Sequence, residues 1–197
     1  MTFDAKILTV SDSVASGHRD DLAGPLLAEL LRHDGFNVIE QRVVPDGVES
    51  VASALRDLSL EFAGLVVTTG GTGFAPRDVT PEATMQILDR EAPGFGELMR
   101  STNPLGPLSR AVSGTVGTCL VINTPGSPKG ALESLEVLLP LLPHALELLF
   151  GHRDPHPPDT GGSTSISSKG WTESASVAAS PFTHTWLTAR IRAKSGP

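Results

Sequence analysis

Gly70, Gly71 and Gly73 fall within four residues, with Thr72 among them, shortly after the β-branched-rich run at 65–68. Thr80 and Pro81 follow, a pair suited to opening a helix. A buried strand, a glycine-rich turn and a helix N-terminus form a common phosphate site. Glycine accepts φ > 0, the backbone comes close to a ligand, and successive N–H groups converge on the anion. A glycine pair alone is equally well explained as a tight strand-to-helix turn. Thr72, Arg77 and Asp78 add a hydroxyl, a cation and a carboxylate able to ligate a metal to the same short loop.

A second turn of this kind follows a second apolar run: Thr124-Pro125-Gly126-Ser127-Pro128-Lys129-Gly130. Two anion-competent turns on one rim would hold two phosphorylated groups. The first turn lacks the Gly-Lys-Ser/Thr ending of a Walker loop and the spacing of a dinucleotide fingerprint. No Gly-x-Ser-x-Gly elbow is present, and Ser127 has no evident histidine partner, which disfavours hydrolase chemistry. Phosphate cradling with carboxylates remains, and it suits metal-assisted phosphoryl or nucleotidyl transfer.

The elements that must position these residues alternate. Residues 5–10, 37–44 and 65–68 read as strands, and 25–35 and 48–62 carry apolar residues at helical spacing. Such alternation predicts an α/β fold of parallel βαβ units, with ligands gathered beyond the carboxyl ends of the strands. Ser11-Asp12-Ser13, Asp46 and the Gly70 to Asp78 loop should therefore share one rim. Thr80 is expected to cap a helix reaching about Asp89, followed by a shorter helix at 93–101. Residues 113–117 suggest a bulge or hairpin entering a strand at 118–123. A helix is expected from about Ala131, and Pro140 and Pro143 divide the rest, to near Phe150, into two helical pieces.

The 197 residues suit one domain, here 1–151, with a Pro/Gly/Ser-rich tail of low order at 152–197. His152 and His156 in that tail are expected to be solvated rather than metal-bound. A net charge of −7 argues against a nucleic-acid partner. Cys119, the single cysteine, rules out an intramolecular disulfide and sits in an apolar run as a buried small residue. No apolar stretch approaches the ~18 residues of a membrane span, and no signal pattern opens the chain, so a cytoplasmic protein without membrane partners is expected.

Linked motifs then carry a resemblance. Thr69-Gly70-Gly71-Thr72-Gly73, Arg77-Asp78-Val79-Thr80-Pro81-Glu82-Ala83-Thr84, Pro93-Gly94-Phe95-Gly96-Glu97, Ser109-Arg110 and Asn123 to Lys129 occur in order. Asp46 follows Pro45 at a further matching position. Over roughly residues 5–151 the chain resembles the molybdopterin adenylyltransferases of molybdenum-cofactor biosynthesis, the MogA/MoaB type also found as the gephyrin G domain. The resemblance implies a three-layer αβα fold with a mostly parallel sheet, and a homotrimer. It also implies transfer of AMP from ATP, with Mg2+, to molybdopterin, pyrophosphate leaving, and the product passing to a downstream molybdenum-insertion enzyme.

On that resemblance Asp46 and Asp78 bind or position the metal, and Gly70, Gly71, Thr72 and Gly73 hold a phosphate. Ser127 and Lys129 serve the second anion, and Ser11, Asp12 and Glu97 are further candidates for the lining. Composition alone also fits Asp46 to an Asx turn and Asp78 to a helix cap. Two other outcomes belong to the same resemblance: a non-catalytic molybdopterin-binding paralogue, and a trimeric scaffold module.

Overall fold

Three runs rich in aliphatic and β-branched residues, together with the mixed segment 37–44, form the parallel part of a six-stranded sheet in the computed structural model, which describes residues 2–151. The strands are β1 (Asp4–Val10), β2 (Asn37–Val44), β3 (Gly64–Thr69), β4 (Arg90–Glu91), β5 (Ser113–Val116) and β6 (Cys119–Thr124). Their order is β2-β1-β3-β6-β5-β4. The first four are mutually parallel, and β5 and β4 close one edge antiparallel. Residue Leu65 of β3 pairs with Ala5 on one side and Leu120 on the other, so the middle of the sheet is in register.

Helices α1 (Asp12–Ala15), α2 (Ala23–His33), α3 (Val48–Ser59), α4 (Thr80–Met85), α5 (Pro93–Ser101), α6 (Pro128–Glu136) and α7 (Leu142–Leu149) connect them. Every residue of β3 is buried, as a central strand covered on both faces requires. Leu8, Val10, Val66, Cys119 and Val121 point to one face and pack with Val51, Leu55 and Leu58 of α3 and Ala83 of α4. Their alternate neighbours Ile7, Leu65, Val67 and Ile122 are fully buried on the other face. There α2 and α6 pack together, and Leu27, Leu31, Leu135, Leu142 and Leu146 are fully buried. Each such leucine adds about 1.5–3 kcal/mol over its exposed state. The architecture is the three-layer α/β expected, with a mostly parallel sheet.

Local departures have local causes. Helix α4 stops at Met85 because Arg90–Glu91 leaves as β4, with Asp89 N–H bonded to Thr115 O (2.8 Å) and Asp89 Oδ2 accepting from Gly117 N–H (2.7 Å). Thr80 is not a side-chain cap: Val79 holds that position, and the Thr80 hydroxyl is buried without a partner. Helix α3 ends at Ser59, short of Phe62, yet the following turn returns Phe62 to the core. Helix α6 begins at Pro128, three residues earlier than expected, because Ser127 Oγ accepts from Gly130 N–H (3.2 Å). The single turn α1 stands where only a strand end was expected; Ser11 caps it by accepting from Val14 N–H (3.4 Å). The readings of 152–197, including His152 and His156, lie outside the described residues.

Cys119 is fully buried, and burial pushes its thiol up to about 11. At pH 8 the folded protein should therefore resist thiol reagents, and full labelling should appear only at the urea concentration that unfolds it. Rapid labelling of native protein would show that β6 opens locally.

Candidate functional site

The carboxyl ends of β1, β2, β3 and β6 lie side by side, so the loops leaving them meet. Ser11 N–H bonds to Val44 O (3.0 Å), and Gly70 N–H bonds to Thr124 O (3.2 Å). A Cβ on Gly126 would stand 3.1 Å from the Gly70 Cα. Thr69 Oγ1 donates to Pro125 O at 2.7 Å, tying the two glycine-bearing turns together. One rim carries both, as the strand order demands.

Gly70 and Gly71 adopt φ of 104° and 62°, conformations that side chains rarely take. The turn they make leaves three successive donors, the N–H groups of Gly71, Thr72 and Gly73, without an acceptor among the described residues. Thr72 is itself buried; its carbonyl accepts from Arg110 N–H (2.8 Å), and its hydroxyl from Ser109 Oγ (3.3 Å). The loop is thus fixed from behind while its N–H groups stay free for an anion. Arg110 completes the backing: Nε donates to Gly73 O (2.7 Å), and its two terminal nitrogens donate to Asp78 O and the Glu82 carboxylate. That hydrogen bond to Arg110 holds the Glu82 carboxyl below its ordinary range.

Two carboxylates flank the loop. A Cβ on Gly71 would be 3.4 Å from Asp46 Oδ1, and one on Gly73 would be 2.8 Å from Asp78 Oδ2. Asp78 Oδ2 accepts from Ala75 N–H (2.8 Å), and Asp46 Oδ2 accepts from Asp12 N–H (2.7 Å). In each residue the other oxygen, Oδ1, accepts no hydrogen bond among the described residues. Asp78 is no helix cap. Both side chains are half-buried, so each keeps one free oxygen at the edge of the cradle.

Two clefts adjoin at this point. The larger, about 460 Å³, is lined by Gly71, Thr72, Gly73 and Asp78, by Ser127 and Lys129, and on its apolar side by Met99 and Leu108. The smaller, about 250 Å³, is lined by Ser11, Asp46, Gly70, Gly71 and Asp78, and also by Asp20 and Asp21. Gly71, Asp78 and Gly126 belong to both walls. Two ligands would meet across this shared wall.

Some expected residues stand elsewhere. Asp12 lines neither cleft; its carboxylate takes two hydrogen bonds from Arg77, at 2.6 and 2.9 Å, which hold its pKa below the ordinary value. Glu97 also lines neither, lying exposed on α5, while its neighbours Gly96 and Arg100 reach the larger cleft. Ser127 is the N-cap of α6, and Lys129 is 81% exposed and 3.6 Å from Glu133, so both reach the larger cleft from its rim. Asp21 is a wall residue that the motifs do not reveal: it accepts from Thr9 Oγ1 (2.7 Å), Ala23 N–H (3.1 Å) and Gly24 N–H (2.9 Å). An aspartate shortly before Gly24-Pro25 is the cap-like signal that could have found it. Arg19 and Asp20, which line the same smaller cleft, carry no such signal.

Comparison with known proteins agrees with this geometry. A family model described as a probable molybdopterin binding domain matches residues 6–144. The chain is 39% identical over 158 residues to the molybdopterin adenylyltransferase of Helicobacter pylori, covering 77% of this chain and 90% of that protein. It is 41% identical over 138 residues to the molybdopterin adenylyltransferase of Escherichia coli, covering 66% of this chain and 70% of that one. Among solved structures, the molybdopterin biosynthesis enzyme MoaB of Thermus thermophilus shares 47% identity with a TM-score of 0.72, over 76% of this chain and 97% of the other.

Proposed function

This chain belongs to the molybdopterin-binding domain family, and from that premise we propose that it is the molybdopterin adenylyltransferase of molybdenum-cofactor biosynthesis. ATP and molybdopterin are its substrates. The terminal phosphate oxygen of molybdopterin forms a bond to the α-phosphorus of ATP, the bond from that phosphorus to the bridging oxygen breaks, and pyrophosphate departs. The single observation that carries this reading is the pair of clefts joined at Gly71 and Asp78. A bisubstrate transfer between two phosphorylated molecules needs such a junction.

The nucleophile needs no strong base, because a phosphomonoester is largely ionised near neutral pH, its second pKa being about 6. What the chain must supply is approach and alignment of two polyanions. The free N–H groups of Gly71, Thr72 and Gly73 take phosphate oxygens, and the backing by Arg110 keeps them aimed without reorganisation. Lys129 and the N-terminal turn of α6 bring positive potential to the second anion.

Mg2+ fits the residues present. Asp46 and Asp78 each hold out one unclaimed oxygen at the edge of the phosphate cradle. That matches an ion held by one or two carboxylates and completed by substrate phosphates and water. When bound it screens the phosphate charges and favours in-line displacement. Asp46 and Asp78 are its ligands in this reading.

The family resemblance also supports a homotrimer that acts in the cytoplasm and hands its product to a molybdenum-insertion enzyme. No described helix is long and apolar enough to cross a membrane. Sedimentation equilibrium tests the trimer directly. The test of function is pyrophosphate release from Mg-ATP with and without molybdopterin. Release that requires molybdopterin is expected. Molybdopterin binding without release would instead favour the non-catalytic paralogue, and binding of neither ligand the scaffold.

A further inference from the structure

We propose that Arg77 and Asp12 are positioning residues that lock Asp46 with its Oδ1 turned toward the glycine loop, an inference that rests on the function proposed above. Asp46 precedes Gly47, whose φ of 148° marks a turn with little steric restraint of its own. Yet Asp46 is held at three of its polar groups. Its N–H donates to Asp12 Oδ1 (3.1 Å), its carbonyl accepts from Arg77 Nη2 (2.6 Å), and its Oδ2 accepts from Asp12 N–H (2.7 Å). Arg77 closes the ring by donating from Nε to Asp12 Oδ2 (2.6 Å) and from Nη2 to Asp12 Oδ1 (2.9 Å).

The ring joins the start of α1, the loop after β2 and the glycine loop. Only Asp46 Oδ1 stays outside it, and that oxygen faces Gly71. Neither Arg77 nor Asp12 lines a cleft, so their effect on substrates passes through Asp46.

The Arg77 and Asp12 side chains are 63% and 47% exposed. An ion pair so exposed adds little to stability. The ring therefore matters for aim rather than for folding. Bidentate geometry also makes lysine a poor substitute, since an ammonium cannot present the same fork to Asp12 while reaching the Asp46 carbonyl.

Arg77→Ala and Arg77→Lys should each lower kcat for molybdopterin-dependent pyrophosphate release by about 10- to 100-fold, as expected for a group misplaced by roughly an ångström. The urea midpoint should stay at the wild-type value. Amide hydrogen exchange at Asp12 and Asp46 should accelerate in both variants, which reads the ring without any turnover. Titration with Mn2+ and a non-hydrolysable ATP analogue should show weaker metal binding. Adding Arg77→Ala to Asp46→Asn should cause no further loss, because the two act as a unit.

Unchanged exchange at both amides, or a multiplicative loss in the double variant, would overturn the clamp. Rescue of kcat by Arg77→Lys would show that charge alone suffices and would overturn it equally. A wild-type protein inactive with both substrates would overturn the functional reading first, and the inferred role with it. An active wild type matched by Arg77→Ala would overturn the clamp alone.

Discussion

Asp78→Asn and Asp46→Asn are each expected to lower kcat for adenylyl transfer by about 10²- to 10³-fold while leaving the fold intact. The asymmetry of each carboxylate makes this a clean experiment. In Asp78 one oxygen already accepts from Ala75 N–H, and in Asp46 one accepts from Asp12 N–H. An asparagine carbonyl can keep either bond. The amide nitrogen then replaces the free oxygen, turning an anionic acceptor, the metal ligand of the proposed reading, into a neutral donor at the cradle. Circular dichroism and the urea midpoint should match wild type, and pyrophosphate release should collapse. A variant of either residue that retained wild-type turnover would remove that aspartate from the reaction. If the two oxygens serve one phosphate–metal arrangement, as proposed, the double variant should be little worse than the worse single one. Multiplicative losses would instead assign them to separate tasks.

The strands, their parallel run and the shared rim were legible because they rest on patterns that sequence carries directly. Residues 37–44 were delimited by the Pro45-Asp46-Gly47 turn, and β3 by its aliphatic and β-branched run, Leu65 to Thr69, before Gly70. Helix ends were less legible because tertiary pairing decided them. Nothing local stops α4 at Met85; the pairing of Arg90–Glu91 with β5 does. Asp46, Asp78 and the glycines were found as candidates because composition and motif agree there. The pairing of Asp12 with Arg77 was illegible, since it spans 65 residues of sequence and depends on where two loops come to rest. Glu97 shows the converse limit: a motif position does not say which face of α5 the residue occupies, and the exposed face is the one it takes.

Gly70→Ala is expected to destabilise the protein by about 3 kcal/mol or more, the largest loss among the rim glycines. Two penalties coincide there. The φ of 104° is one that an L side chain rarely adopts, and a Cβ would collide with the carbonyl oxygen of Val10. That oxygen belongs to backbone at the end of β1, so relief requires β1 and β3 to part. Gly71→Ala should cost less, about 1–2 kcal/mol, because its φ of 62° lies in the left-handed well. Its Cβ would press on the Thr80 hydroxyl, a side-chain atom, and would stand 3.4 Å from Asp46 Oδ1. Gly71→Ala should therefore fold and yet lose activity by tenfold or more, a figure set by displacement of the cradle. Gly94→Ala supplies the comparison: nothing lies within 4 Å of its added Cβ, and its stability should hold or rise by about 0.4–1 kcal/mol. Urea denaturation of the three variants measures the order directly. A Gly70→Ala protein as stable as wild type would mean that Gly70 does not lie against Val10, and the convergence of the rim would have to be redrawn.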